Sequence, residues 1–186
     1  MEKRNVIESE IEQLLGKTAW THKIQEKQAE IKKKRGDYTE ILKIGLSAIT
    51  SSGILAVAFG VDSFGFKVVT AIIALLSTGV NLYLKKYDFT SMEKEHKACA
   101  VEWLGLREDY IALIADIRAD IVDDEDIITR RDELLNTYKE ISRKSPNTTS
   151  KAYIEASKAL KINLDDLISE DEINKFLPIE LRRERE

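Results

Sequence analysis

The sequence predicts an all-α protein, built as a two-helix transmembrane hairpin with a cytoplasmic helical bundle. Three observations carry that expectation. Two prolines and eight glycines in 186 residues leave little to interrupt helices. No charged residue occurs from Ile44 to Val61, nor from Val68 to Leu84, although 33% of the chain is charged. One such gap arises by chance with a likelihood of about 10⁻³ per starting point, and two adjacent gaps are far rarer. After the second gap, apolar positions recur in steps of three and four for about four heptads.

The N-terminal arm, residues 1–43, is helical by pattern. Ile7, Ile11 and Leu14 share one face, and Trp20, Ile24 and Ile31 resume it at a shifted phase. Gly16 is expected to break or bend the run. Gly36 before Asp37 is expected to end one helix and cap the next.

Residues 44–84 form the expected hairpin, with spans 44–61 and 68–84 near the lower length limit for crossing a bilayer. The link from Asp62 to Lys67 is short and polar at its edges, with Phe64 and Phe66 suited to a membrane interface. The competing reading is a buried hairpin in a soluble bundle. A core helix in so small a protein keeps one wet face, and neither segment has one. The start MEKRNVIESE lacks an apolar stretch, so no signal peptide is expected.

Basic residues set the expected orientation. Lys23, Lys27, Lys32, Lys33, Lys34, Arg35 and Lys43 precede the first span. Lys85, Lys86, Lys94 and Lys97 follow the second, while the link carries Lys67 offset by Asp62. The positive-inside rule then places both termini in the cytoplasm of a multi-pass inner-membrane protein. The run Lys32 to Arg35 serves as a topology signal, and it could also hold anionic lipid headgroups.

Residues 85–186 form the expected cytoplasmic helical region. The seam Phe89, Met92, His96, Cys99, Trp103, Leu106, Tyr110, Leu113 and Ile117 belongs to a helix from Tyr87 to about Val122. The acidic run Asp123 to Asp126 interrupts it. Ile127, Arg131, Leu134, Tyr138 and Ile141 resume it, giving a long antiparallel helical hairpin. A loop spans Ser142 to Ser150, where Thr148 or Thr149 caps a helix over Lys151–Leu160. Ser169 with Glu172 forms a capping box for a last short helix ended by Pro178, and the tail is expected to fray.

Candidates for chemistry are few. His96 and Cys99 share a helix face, but a closed metal site needs about four ligands and the sequence offers no partner cluster. The run Asp123 to Asp126 lacks the glycine and terminal glutamate of a calcium loop. No phosphate-binding glycine motif and no nucleophile elbow occurs. Neither enzyme activity nor a cofactor nor a metal is expected. One cysteine excludes an intrachain disulfide. The net charge of -4 gives no footprint for nucleic acid.

The spans carry more. Thr70, Ala74, Ser77, Thr78 and Asn81 fall within about 100° of the second helix, with Ile72, Leu75, Leu76 and Leu82 on the other side. They are the candidate pore lining, although packing with hydroxyls as weak glue is an equal alternative. Ala48, Ser52, Ala56 and Gly60 recur every fourth residue and form a candidate packing ridge. Trp103 is a candidate packing residue of the long seam, within or between subunits.

The layout and several blocks resemble the SLATT family, two-transmembrane effectors associated with bacterial nucleotide-signalling conflict systems. The blocks are NLYLKKYDFTSMEKEHKACAVEWLGLREDYIALIADI at 81–117, RRDELLNTYKE at 130–140, SKAYIEASKALK at 150–161 and EINKFLPIELR at 172–182. Trp20 before the hairpin also fits. The C-terminal blocks are most similar to a stand-alone subtype sometimes near reverse-transcriptase genes. The resemblance implies a membrane-disrupting or pore-forming effector that aborts phage-infected cells. It implies as partners the lipid bilayer and components of a nucleotide-signal or reverse-transcriptase system. It offers no catalytic motif. The expected function is thus a homo-oligomeric pore effector, with a membrane-anchored scaffold or sensor as the alternative.

Overall fold

The computed structural model describes residues 2–60 and 63–163. Every regular element among them is helical: α1 (Glu2–Ala58), α2 (Phe64–Lys86), α3 (Phe89–Arg118), α4 (Asp124–Lys144) and α5 (Ser150–Lys158). A π-helical turn, Ala159–Asn163, continues α5. The expected capping box at Ser169 and the stop at Pro178 lie outside the described residues.

The arm and the first apolar segment are one helix. α1 has 57 residues, about 86 Å at 1.5 Å per residue. Neither glycine ends it, contrary to expectation. A glycine within a helix costs only about 1 kcal/mol relative to alanine, and packing on both sides of Gly16 outweighs that. Leu14 and Thr18 flank it, both buried. Gly36 is a notch rather than a stop: a Cβ there would lie 3.3 Å from the Phe89 Cβ. The missing side chain lets α3 begin directly against α1.

α3 packs chiefly on α1 and secondarily on α4. The predicted seam is the buried face of α3: Phe89, His96, Cys99, Trp103, Leu106, Tyr110, Leu113 and Ile117 are buried, joined by Ala100 and Ile114. Met92 is half-buried. Ile11 and Leu14 of α1 and Ile127 and Ile141 of α4 complete the core. Trp103, 1% exposed, meets Tyr138 edge to face with ring centroids 5.1 Å apart. Such a pair adds about 0.5–1.5 kcal/mol beyond area burial.

The acidic run is helix-start chemistry. The Asp123 carboxylate accepts from the backbone N–H of Glu125 and Asp126 at 3.0 and 2.9 Å. Asp124, Glu125 and Asp126 fill the first turn of α4, where the helix dipole favours negative charge. The preceding turn holds Asp120 at φ 54, a left-handed conformation that aspartate tolerates. Arg4 fastens this turn to α1. Its guanidinium lies 2.8 Å from the Asp120 carboxylate and donates to the carbonyls of Ile117 and Val122 at 3.0 and 3.3 Å. At the other end of α4, Thr149 is the cap of α5, its hydroxyl accepting from Ala152 N–H at 3.4 Å.

Candidate functional site

The hairpin is built from the apolar end of α1 and all of α2. None of the most apolar 18-residue stretch of either helix is buried. Leu75 is 73% exposed and Leu82 64%. A soluble bundle would cover these side chains; here they form a continuous apolar sleeve around the helix pair.

Among the described residues α2 packs chiefly against α1. Its half-buried residues include Phe66, Thr70, Ile73, Ala74, Ser77, Val80 and Leu84, facing Leu46, Thr50, Gly53, Ala56 and Val57 of α1. The tightest approach is at Gly53, where a Cβ would lie 2.9 Å from the Thr70 Cγ2. Of the polar stripe, Thr70, Ala74 and Ser77 are half-buried, while Thr78 and Asn81 are exposed. Of the small-residue ridge, Ala56 is half-buried and Ala48, Ser52 and Gly60 are exposed. Gly53, outside that ridge, makes the close crossing. Its signal was the spacing Leu46, Thr50, Gly53, Val57, which a search for small residues every fourth position passes over.

Most hydroxyls of the hairpin are satisfied locally. Thr50 donates to the Leu46 carbonyl at 2.8 Å, Ser52 to that of Ala48 at 2.9 Å, Thr70 to that of Phe66 at 3.0 Å and Thr78 to that of Ala74 at 2.9 Å. This back-bonding removes most of the cost of a hydroxyl in lipid. Asn81 differs: its carboxamide has no hydrogen-bond partner among the described residues, and it is exposed.

The hairpin joins the bundle through an aromatic knot. α2 ends at Lys86 with Tyr87 as its C-cap, and α3 begins at Phe89, with the Asp88 carboxylate capping Ser91 N–H at 3.0 Å. Tyr83 and Tyr87 lie 4.8 Å apart, and each is 6.2 Å from buried Phe89. The two helices are therefore linked by packed rings rather than by a loose loop.

Between this knot and the apolar core, α1 and α3 enclose a polar layer. Thr18, His22, Lys23, Gln25, Gln28 and His96 are all buried. Gln25 Nε2 donates to the Pro146 carbonyl at 3.0 Å. Its Oε1 therefore faces His96 Nδ1 at 2.7 Å and must accept, which puts a proton on that nitrogen. His22 Nδ1 likewise donates to the Ala100 carbonyl at 2.9 Å. Gln28 Oε1 accepts from both Thr149 N–H and its hydroxyl, at 2.9 and 2.8 Å. These contacts hold the α4–α5 loop against α1. Sequence reasoning missed them because it sought apolar residues. Thr18, His22, Gln25 and Gln28 continue the three-and-four spacing of Ile11 and Leu14 in polar form.

Burial pushes the His96 pKa below its ordinary 6.5, with Lys32 adding to the effect and Glu95 opposing it. Burial pushes the Cys99 thiol up, with the neighbouring Ser145 hydroxyl and Trp103 indole opposing the shift. Ser145 Oγ donates to the Ile141 carbonyl at 2.8 Å, so the thiol donates to Ser145, 3.2 Å away, and Trp103 Nε1 donates to it at 3.0 Å. His96 and Cys99 thus face separate hydrogen-bond partners. Among the described residues no three His, Cys, Asp or Glu side chains are grouped to hold a metal.

The model of one family, described as SMODS and SLOG-associating 2TM effector domain family 4, matches residues 7–172. No curated protein and no solved structure gives a significant match. The family match takes in the arm, both apolar helices and the helices packed on them. The uncovered sleeve is accordingly the membrane-embedded part of a membrane protein, and the chain belongs to this family of two-transmembrane effector domains.

Proposed function

We propose that the chain is a pore-forming effector of a bacterial anti-phage conflict system, acting as a homo-oligomer in the inner membrane with both termini cytoplasmic. The observation that carries this reading is Asn81. An exposed carboxamide without a partner, in a charge-free span, costs several kcal/mol in hydrocarbon, about the price of a lost hydrogen bond in an apolar medium. A neighbouring copy or a water-filled lumen relieves that cost. Thr78, also exposed, extends the same arc, whereas Ser77, Ala74 and Thr70 on that arc are half-buried toward α1. One hairpin cannot enclose water, so a lumen needs several copies in closed rotational symmetry. Ala48, Ser52 and Gly60, exposed in the single chain, offer a small-residue surface on which a second copy can approach closely.

The test is leakage from liposomes. Wild type should release a trapped small dye, and Ser77→Leu combined with Asn81→Leu should abolish release while inserting equally. Leu76→Ala, on the other arc, should release nearly as wild type. Full leakage by the double variant would sink the lining assignment and favour the membrane-anchored scaffold or sensor, in which the stripe only packs helices. Orientation has its own test: Ser63→Cys should react with an impermeant maleimide added outside intact cells.

A further inference from the structure

A cavity of about 570 Å³ opens where α1, α2, α3 and α5 meet. Its wall carries four cations, Lys27, Lys34, Arg35 and Lys151, and two carboxylates, Glu30 and Glu155. The carboxylates are already engaged. Glu30 lies 2.9 Å from Lys27, and Glu155 lies 3.7 Å from Lys158, which is outside the cavity. Lys34, Arg35 and Lys151 make no ion pair among the described residues. Three unneutralised cations from two separate helices thus face one hollow, an arrangement favourable only to an anion.

Depth along the helix narrows the choice. Tyr38 and Tyr83 also line the cavity, with Phe89 beside them. Tyr38 precedes the first charge-free segment by six residues, about 9 Å of helix, and Tyr83 is next to the end of the second. Tyrosines at that level mark the membrane–water interface. The volume is within the range of about 300–1,000 Å³ usual for small-molecule sites. Arg35 supplies a planar fork of donors, which matches phosphate oxygens better than a single ammonium does.

We infer that this cavity binds a phosphate-bearing ligand, with Lys34, Arg35 and Lys151 neutralising the phosphate and the tyrosines flanking what it is attached to. The phosphate can come from an anionic lipid headgroup or from a soluble molecule. The inference does not require that the hairpin conducts. It differs from a basic strip acting on membrane charge, because Lys151 lies on α5, far from the strip in sequence.

The test is calorimetric titration of the full chain in uncharged detergent micelles. The probes are dioctanoyl phosphatidic acid, dioctanoylglycerol with the same tails and no phosphate, and inorganic pyrophosphate. Phosphatidic acid should bind saturably and dioctanoylglycerol should not. Lys34→Gln and Lys151→Gln should each weaken binding about tenfold, the effect of one charge-assisted hydrogen bond. Lys33→Gln, one residue along α1 and outside this cavity, should change it less than about twofold, as a rim charge does. Binding of pyrophosphate with the same variant pattern assigns the site to a soluble phosphate; binding of the lipid alone assigns it to a headgroup. Circular dichroism of each variant checks that the helices persist. The inference is overturned if neither phosphate probe binds, if dioctanoylglycerol binds equally well, or if Lys151→Gln leaves binding unchanged.

Discussion

Gly53 and Thr70 form the closest approach of the two membrane helices: a Cβ built on Gly53 would stand 2.9 Å from the Thr70 Cγ2 and 3.0 Å from its Oγ1. Thr70 cannot simply turn away, because its hydroxyl donates to the Phe66 carbonyl at 3.0 Å and a β-branched residue is stiff at χ1. Gly53→Val should force the helices apart and destabilise the hairpin by about 1–3 kcal/mol, as overpacking does. The midpoint of unfolding in a dodecyl sulfate titration reads this directly. An unchanged midpoint would mean that the helices do not meet there.

Ser145 organises the centre of the bundle by accepting from Trp103 Nε1 while donating to the Ile141 carbonyl. Ser145→Ala leaves the buried indole N–H without an acceptor and should cost about 1–3 kcal/mol. Trp103→Ala removes the ring itself and should cost about 3–5 kcal/mol. Thermal unfolding of both variants, followed by circular dichroism, should rank them in that order. Equal losses would place the stabilisation in the hydrogen bond rather than in the packing.

Tyr110 presents the opposite case. Its ring is 0% exposed, yet among the described residues its hydroxyl has no hydrogen-bond partner. Burial, with smaller effects from Tyr138 and Glu10, pushes its pKa up to about 12. Tyr110→Phe removes a buried unsatisfied group without opening a cavity. It should be neutral or stabilising, by up to about 1 kcal/mol. A loss above that would reveal a partner for the hydroxyl.

The buried His96 makes the bundle acid-sensitive. Its folded pKa lies below the ordinary 6.5, so below that pH the unfolded chain binds more protons than the folded one. Stability is then greatest above pH 6.5 and falls as the pH drops toward the folded pKa. Chemical unfolding at a series of pH values should show this slope, and His96→Gln should flatten it between pH 6.5 and the folded value. An unchanged slope in the variant would assign the sensitivity to other groups.

The two apolar segments were legible because lipid demands an extreme composition, and the α3 face was legible because its seam keeps apolar residues in register. What faces that seam was not. Sequence periodicity paired it with Ile127 to Ile141, whereas α3 packs chiefly on α1. The α1 face opposite it carries Thr18, His22, Gln25 and Gln28, whose hydrogen bonds replace apolar contact and mute the hydrophobic pattern. Gly36 shows a second reason. Local propensity marks it as a terminus, and only the approach of Phe89, distant in sequence, shows why the side chain is missing. The cavity at Lys34 and Lys151 was equally hidden, since four helices contribute to it.

Because α1 is unbroken from Glu2 to Ala58, it behaves as a torsion rod with a single angular phase. Each inserted residue advances a helix by about 100°. One extra residue between Tyr38 and Ile44 would therefore turn Gly53 about a quarter of the way round, relative to the face that holds Leu14 and Gln25. Seven extra residues would bring it back to within about 20° while lengthening the rod by about 10 Å. The register between bundle and span is thus quantised by helical geometry, and the intervening stretch transmits rotation as faithfully as it sets distance.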